Sequence, residues 1–260
     1  MNIDAIIVST NQKEYLKKSL KSLFASTKKK LNIIVIDNNS SDKTSIFLKK
    51  NYPTIKIIIN KETMGFAHNC NLGIKLCKKK YILLLNPDTE VAPGAIEKLY
   101  FFLTTHPKVG ICGPQLKFPN GDMQMSCRRF PTWKTAIVRR SPLRHFFVNS
   151  KENRHHLGYD IDHTKIQPVD WLLGACLLIR KKTINNIGLF DEEYHLYVED
   201  IDYCYRAWKA EWQVWYVPES VIIHHHRAES DKKLLSVFSW YHLKSMWYYF
   251  WKNILIPKNT

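Results

Sequence analysis

Tyr81-Ile82-Leu83-Leu84-Leu85-Asn86-Pro87-Asp88-Thr89 is the stretch on which the fold of this chain turns. Five apolar residues without alternation are the pattern of a strand buried on both faces, as in a parallel sheet. The run stops at Asn86-Pro87-Asp88, and Pro93 then opens a helix over residues 94–103. A carboxylate placed there stands at the carboxyl edge of a sheet. Mg²⁺ or Mn²⁺ is typically held by one or two carboxylates plus substrate phosphates, so Asp88 suits a cation that carries a diphosphate. Taken alone, the same residues equally read as a turn that caps the next helix.

The same unit repeats upstream. Residues 5–8 form a continuous apolar run, and Leu16, Leu20, Leu23 and Phe24 then fall on one helical face. Residues 33–36 make a second strand ending at Asp37, with Ser41 or Asp42 placed to cap a helix through Phe47 and Leu48. Residues 55–59 read as a strand and 66–77 as a helix. This alternation predicts an α/β fold with a parallel sheet and helices on both faces. Ligands bind such sheets beyond the carboxyl ends of the strands. Asp37 stands at that edge with Asp88, where it can accept hydrogen bonds from a nucleobase or ribose. Downstream, residues 109–113, 171–180, 214–217 and 221–223 read as strands and 199–209 as a helix.

Two later clusters carry chemistry. Glu199-Asp200-Ile201-Asp202, with Arg206 following, gathers four charged side chains at a helix start. With the helix beginning near Asp200, Asp202 and Arg206 stand at i,i+4 and pair. Glu199 and Asp200 are left at the N-terminus, where free N–H groups and the helix dipole favour a carboxylate. One fixed there can be a general base; an ordinary acidic first turn has the same composition. His224-His225-His226 follows a short strand, which sends His224 and His226 to one face and His225 to the other. Histidine is a common metal ligand, and a solvated histidine run is spelled the same way.

Composition bounds the rest. The 39 Lys and Arg against 23 Asp and Glu give a net charge of +16, which implies anionic partners. Six cysteines show no CxxC and no zinc or disulfide spacing, as expected of reduced thiols in a cytoplasm. No uncharged apolar run approaches the length of a membrane-spanning helix, and residues 5–8 are too short for a signal core. A nucleic-acid-binding protein fits the charge and the aromatics. Against it stand the missing binding motif and Asp-rich loop ends that would repel phosphates without a metal. A nucleotidyltransferase needs a glycine-rich loop near the first strand, and Ser9-Thr10-Asn11-Gln12-Lys13 has no glycine.

In order along the chain stand Ile7-Val8-Ser9-Thr10-Asn11, Asp37-Asn38-Asn39-Ser40, Met64-Gly65-Phe66-Ala67 with Asn71-Leu72-Gly73, and Asn86-Pro87-Asp88. They are followed by Asp170-Trp171-Leu172-Leu173-Gly174-Ala175-Cys176, Gly188-Leu189-Phe190-Asp191, Glu199-Asp200 with Arg206, and a late histidine after Pro218. This series resembles the family-2 glycosyltransferases of the GT-A fold, within them the bacterial rhamnosyltransferase-like branch, from Ile6 to about Ser230. The resemblance implies a GT-A, Rossmann-like domain over residues 1–232, with a nucleotide-binding half to about residue 115 and an acceptor half beyond it. Residues 233–260 are then an amphipathic helical tail. It implies an inverting, metal-dependent transfer from a nucleotide-sugar to a polysaccharide or lipid-linked glycan, with no nucleic acid as partner; a catalytically inactive glycan-binding homologue is the alternative. Ser9, Thr10, Asn11, Asp37, Asn39, Gly65, Phe66, Asn71, Asn86 and Asp88 would bind the nucleotide-sugar. Asp88 and His224, with His226 as substitute, would hold Mn²⁺ or Mg²⁺. Asp200 would be the base with Glu199 beside it, and Trp171 and Gly174 would border the acceptor. Departures from the family pattern at Thr63, His68, Asn69, Cys70, His195 and Glu211 bear on sugar identity.

The acid-free stretch holding Arg128, Arg129, Lys134, Arg139, Arg140 and Arg144 suits lipid phosphates. So does the aromatic tail over residues 234–256. Both point to peripheral contact with an anionic membrane at its inner face.

Overall fold

Strands form where the apolar runs are unbroken. The computed structural model describes residues 1–133, 150–194, 197–225 and 237–255. The first units are β1 (Ile3–Ser9), α1 (Lys13–Ser26), β2 (Asn32–Asp37), α2 (Thr44–Asn51), β3 (Lys56–Ile59), α3 (Phe66–Leu76) and β4 (Tyr81–Leu85). After them come β5 (Thr89–Val91), α4 (Ala95–Thr105), β6 (Val109–Lys117), β7 (Met123–Gln124), β8 (Cys127–Arg128) and α5 (Lys151–His156). The chain continues through β9 (Gln167–Pro168), β10 (Trp171–Leu172), β11 (Cys176–Arg180), α6 (Lys181–Ile187), α7 (Glu199–Lys209) and β12 (Gln213–His224). It ends in α8 (Val237–Phe250), followed by a π turn over Trp251–Leu255.

The main path of the sheet runs β3-β2-β1-β4-β11-β6-β12-β5. Six of these eight strands point the same way; β11 and β5 run against them. The sheet is thus mixed, mostly parallel in strand direction, and wholly parallel over β3-β2-β1-β4. Alternate side chains go to opposite faces. Ile6, Ile34, Ile36, Ile82 and Leu84 pack with α3 and α7 on one side; Ile7, Ile33, Val35, Leu83 and Leu85 pack with α1 and α4 on the other. Gly73 lets α3 lie close on β1, since a Cβ there would meet Ile6 Cγ2 at 2.6 Å.

Several sequence expectations are corrected. The run 171–180 is two strands, because the chain changes partner at Gly174. Leu173 N–H donates to Ser126 O on one side of the break, and Ala175 O accepts from Asn86 N–H on the other. The two short strands at 214–217 and 221–223 are one bulged strand, β12. Phe24 does not enter the core: it is 46% exposed and stacks on Tyr52 at 5.7 Å. The cap position of α2 is Lys43, not Ser41 or Asp42. Asp42 still serves that end, accepting from Thr44 N–H at 3.1 Å, and its other oxygen accepts from Lys13 N–H at 2.8 Å at the start of α1. His226, His195, Lys134, Arg139, Arg140, Arg144 and residues 234–236 and 256 of the tail lie outside the described residues.

Candidate active site

Parallel register sets the first part of the site. Ser9 ends β1 beside Asp37, which ends β2. Both are buried, and neither Ser9 Oγ nor Asp37 Oδ2 has a hydrogen-bond partner in the protein. A buried polar group left unmade costs about 1–3 kcal/mol. A hydroxyl and a carboxylate oxygen orphaned side by side at a sheet edge therefore suit a ligand bearing hydroxyls or N–H groups. Asp37 Oδ1 is held by Ser40 N–H at 3.0 Å.

Around this pair three loops are stitched together. Asn11 adopts the left-handed region at φ 51°, which asparagine tolerates. Its N–H donates to Ser40 Oγ at 3.0 Å, and its Oδ1 accepts from Ser41 N–H at 2.7 Å. Asn39, exposed, also has positive φ, 58°. Asn38, which the sequence reading passed over, donates to Thr10 Oγ1 at 3.1 Å and Met64 O at 3.0 Å and accepts from Met64 N–H at 2.8 Å. Gly65 precedes α3 in extended backbone, and Phe66 packs partly buried against the core. Asn71 is tied to the loop before α7. Its amide bonds Phe190 N–H and O and donates to Glu192 Oε1, all at 2.8–2.9 Å. Its contribution is to fix the loop at 190–192.

β12 delivers His224 beside Thr89, one residue past Asp88. His224 Nε2 faces Asp88 Oδ1 at 3.4 Å, with both side chains almost wholly buried. On the far side of the ring Nδ1 lies 2.9 Å from Gln124 Oε1. A carboxamide oxygen only accepts, so Nδ1 donates to it and Nε2 is the ring atom that faces the carboxylate. A histidine nitrogen and a carboxylate oxygen set this way are the atom types that hold a divalent cation. Adjacent ligands of an octahedral Mg²⁺ at about 2.1 Å each stand about 3 Å apart, near the separation found here. Gln124 is the kind of outer partner that orients a ligating histidine. The described residues hold no group of three His, Cys, Asp or Glu side chains around one point. His225 turns to the other face, as predicted, and binds Glu90 at 2.6 Å.

β11 starts where β4 ends, so Gly174 and Ala175 reach the same edge; Asn86 N–H donates to Ala175 O at 2.9 Å. Gly174 N–H donates to Asp200 Oδ2 at 3.0 Å, and Ile201 N–H to Asp200 Oδ1 at 2.9 Å. Asp200 is half-buried at the start of α7. Burial raises its affinity for a proton above that of an ordinary aspartate, against the pull of those N–H groups and of Arg128. Glu199 is buried, its Oε2 has no partner, and burial together with the Asp200 charge pushes it up to about 8. Of the two, Asp200 is the more exposed. The turn that presents them is strained: Tyr197 and Val198 have φ of 65° and 74°, which for a β-branched valine costs on the order of 1–3 kcal/mol. Trp171 is buried and donates to Arg129 O at 2.8 Å. It meets the site through Arg128, whose guanidinium lies 5.5 Å from its ring centre, rather than by an open face.

The sequence profile of glycosyl transferase family 2 matches residues 4–174. The chain belongs to glycosyl transferase family 2. It is a GT-A fold glycosyltransferase, an enzyme with a nucleotide-sugar as donor and a glycan as acceptor. This transferase is similar to the rhamnosyltransferase WbbL of Escherichia coli (strain K12), 31% identical over 98% of this chain and 95% of that protein. It is 26% identical to the N-acetylglucosaminyl-diphospho-decaprenol L-rhamnosyltransferase of Mycobacterium tuberculosis (strain ATCC 25618 / H37Rv), over 86% of this chain and 76% of that one. Among solved structures, GalNAc-T7 with UDP, GalNAc and Mn²⁺ superposes with a TM-score of 0.67 at 18% identity, over 87% of this chain and 44% of that chain. The mannosyltransferase PcManGT from Pyrobaculum calidifontis, in complex with GDP-Man and Mn²⁺, gives 0.59 at 14% identity, over 88% and 58%. At these identities the structural likeness carries the fold. The transferase spans less than two thirds of either structure's chain.

Proposed function

We propose that this glycosyltransferase is inverting and metal-dependent. It moves a sugar, first of all rhamnose from dTDP-rhamnose, to a hydroxyl of a cell-surface polysaccharide or lipid-linked glycan. The observation that carries the reading is a candidate base, Asp200, tied through Gly174 and Ala175 to the loop that bears Asp88. One base and one leaving group make a single displacement. Ser9 and Asp37 bind the nucleoside through their orphaned oxygens. Asp200 takes the proton of the acceptor hydroxyl as that oxygen bonds to the anomeric carbon and the bond to the diphosphate breaks. A general base contributes about 10² to 10⁴-fold in rate, and Glu199, holding its proton at neutral pH, keeps the pair at a single negative charge. Asp88 and His224 would hold a divalent cation, which supplies charge stabilisation for the departing diphosphate. Rhamnose rests on the names of the two relatives above, and UDP-linked hexoses are the next donors to try. The test is transfer from each donor to a polyprenyl-diphosphate-linked N-acetylglucosamine, with the product's anomeric configuration read by NMR. Inversion relative to the donor supports the proposal; retention, or no transfer from any donor, overturns it.

A further inference from the structure

Helix α8 is apolar on two adjoining faces. Inward, Met246, Tyr249 and Phe250 are buried in the core that also holds Tyr203. Outward, Trp240, Leu243, Trp247 and Trp251 are 67%, 40%, 71% and 48% exposed. At about 100° per residue Trp240, Leu243 and Trp247 fall within an arc of about 60°, a single stripe, and Trp251 follows it in the π turn. With aromatic side chains of 150–250 Å², the stripe opens on the order of 400 Å² of apolar surface to water, a patch of the size that marks an interaction site.

The residue type and the charge both name the occupant. Indole is an apolar plate with an N–H at its rim, and it gains most where one end meets hydrocarbon and the other meets water, at the headgroup level of a bilayer. No acidic residue follows Asp231, and Lys244 is exposed in the same sector of the helix as the stripe. Among the described residues no helix is long and apolar enough to cross a membrane. At 14 residues α8 is too short to span a bilayer, and its inner face is already packed on the protein, so its outer stripe can meet a membrane only at the surface. We infer that α8 seats its tryptophan stripe on an anionic bilayer.

The position of α8 gives the docking a consequence. His242 on α8 has its ring 5.6 Å from that of Tyr197, two residues before Glu199. Tyr248 meets Tyr194 at 5.1 Å. The strained turn that presents Asp200 is therefore braced against the docking helix, and docking brings that side of the molecule to the lipid. Resting on the function proposed above, this selects a lipid-linked acceptor over a free polysaccharide.

The test is sedimentation of the full chain with vesicles of phosphatidylcholine alone and with added phosphatidylglycerol, without donor or acceptor. The wild-type chain binds the anionic vesicles with a blue shift of indole emission. Trp247→Glu and the double change Trp240→Ala with Trp247→Ala each weaken binding at least about tenfold, and Lys244→Glu weakens it less. These positions are exposed, so circular dichroism and Tm stay as in the wild type. Failure of the wild-type chain to bind, or variants that bind equally well, overturns the inference. So does a wild-type chain that self-associates without lipid and is dispersed by Trp247→Glu, which makes the stripe a protein–protein surface. Catalysis plays no part in this readout, so its failure leaves the proposed transfer standing. Vesicle binding without transfer in the donor assay defeats the function alone.

Discussion

Asp202→Ala tests what holds the catalytic helix in place. Asp202 is wholly buried, and its carboxylate accepts from Arg206 Nε at 2.7 Å, Lys252 Nζ at 3.1 Å, Asn253 Nδ2 at 3.1 Å and Tyr194 O–H at 3.3 Å. One anion thus joins α7 to the turn after α8 and to the loop before α7. Removing one member of a buried ion pair costs about 3–5 kcal/mol, because the partner's charge stays buried. Here Arg206 keeps the carbonyls of Ile187 and Leu189, and Lys252 keeps Asp191 at 2.6 Å. The lower end, about 3 kcal/mol, is therefore expected, or about 6 to 12 °C in Tm for a chain of this size. Urea unfolding followed by far-UV circular dichroism measures it. Lys252→Met, which leaves Asp202 paired with Arg206, loses clearly less. A loss under about 1 kcal/mol for Asp202→Ala would refute the claim that this network fixes α7.

Asp200→Asn lowers kcat about 10² to 10⁴-fold while nucleotide affinity is kept; calorimetry and initial rates separate the two, and unchanged kcat removes Asp200 as base. Gln124→Leu weakens Mn²⁺ binding about 10- to 100-fold in a calorimetric titration with nucleotide present, and wild-type affinity would show that His224 needs no such support. Glu199 is raised to about 8, so between its ordinary carboxylate range and that value the folded chain holds a proton that the unfolded chain has released, and stability falls as pH rises. As pH rises from about 5 to about 8 the wild-type chain should lose more stability than Glu199→Gln; urea unfolding with parallel slopes for the two contradicts the burial argument.

The first strands were legible in the sequence because β1, β2 and β4 are apolar runs ended by a polar residue, which placed Asp37 and Asp88 at one edge. The Asp202–Arg206 pair and the opposite turns of His224 and His225 follow from helix and strand periodicity alone. The direction of β11 was not legible, since an apolar run reads the same both ways and only its insertion between β4 and β6 reverses it. Gln124 lies in a two-residue strand after exposed residues, with no pattern to mark it; its importance comes from β12, a hundred positions away. Asn38 was hidden beside the more conspicuous Asp37, although its amide links three loops. The packing of Trp171 beneath Arg128 had no signal in the sequence, since the two are 43 positions apart.

The central claim, a nucleotide-sugar site built on Asp88, is tested most directly by thermal shift with dTDP, UDP and GDP, each with and without Mn²⁺. A ligand that binds only the folded chain raises Tm. One nucleotide should stabilise the wild-type chain only when Mn²⁺ is present, and Asp88→Ala should abolish that shift. No shift from any nucleotide with metal, or an undiminished shift in Asp88→Ala, would contradict the account.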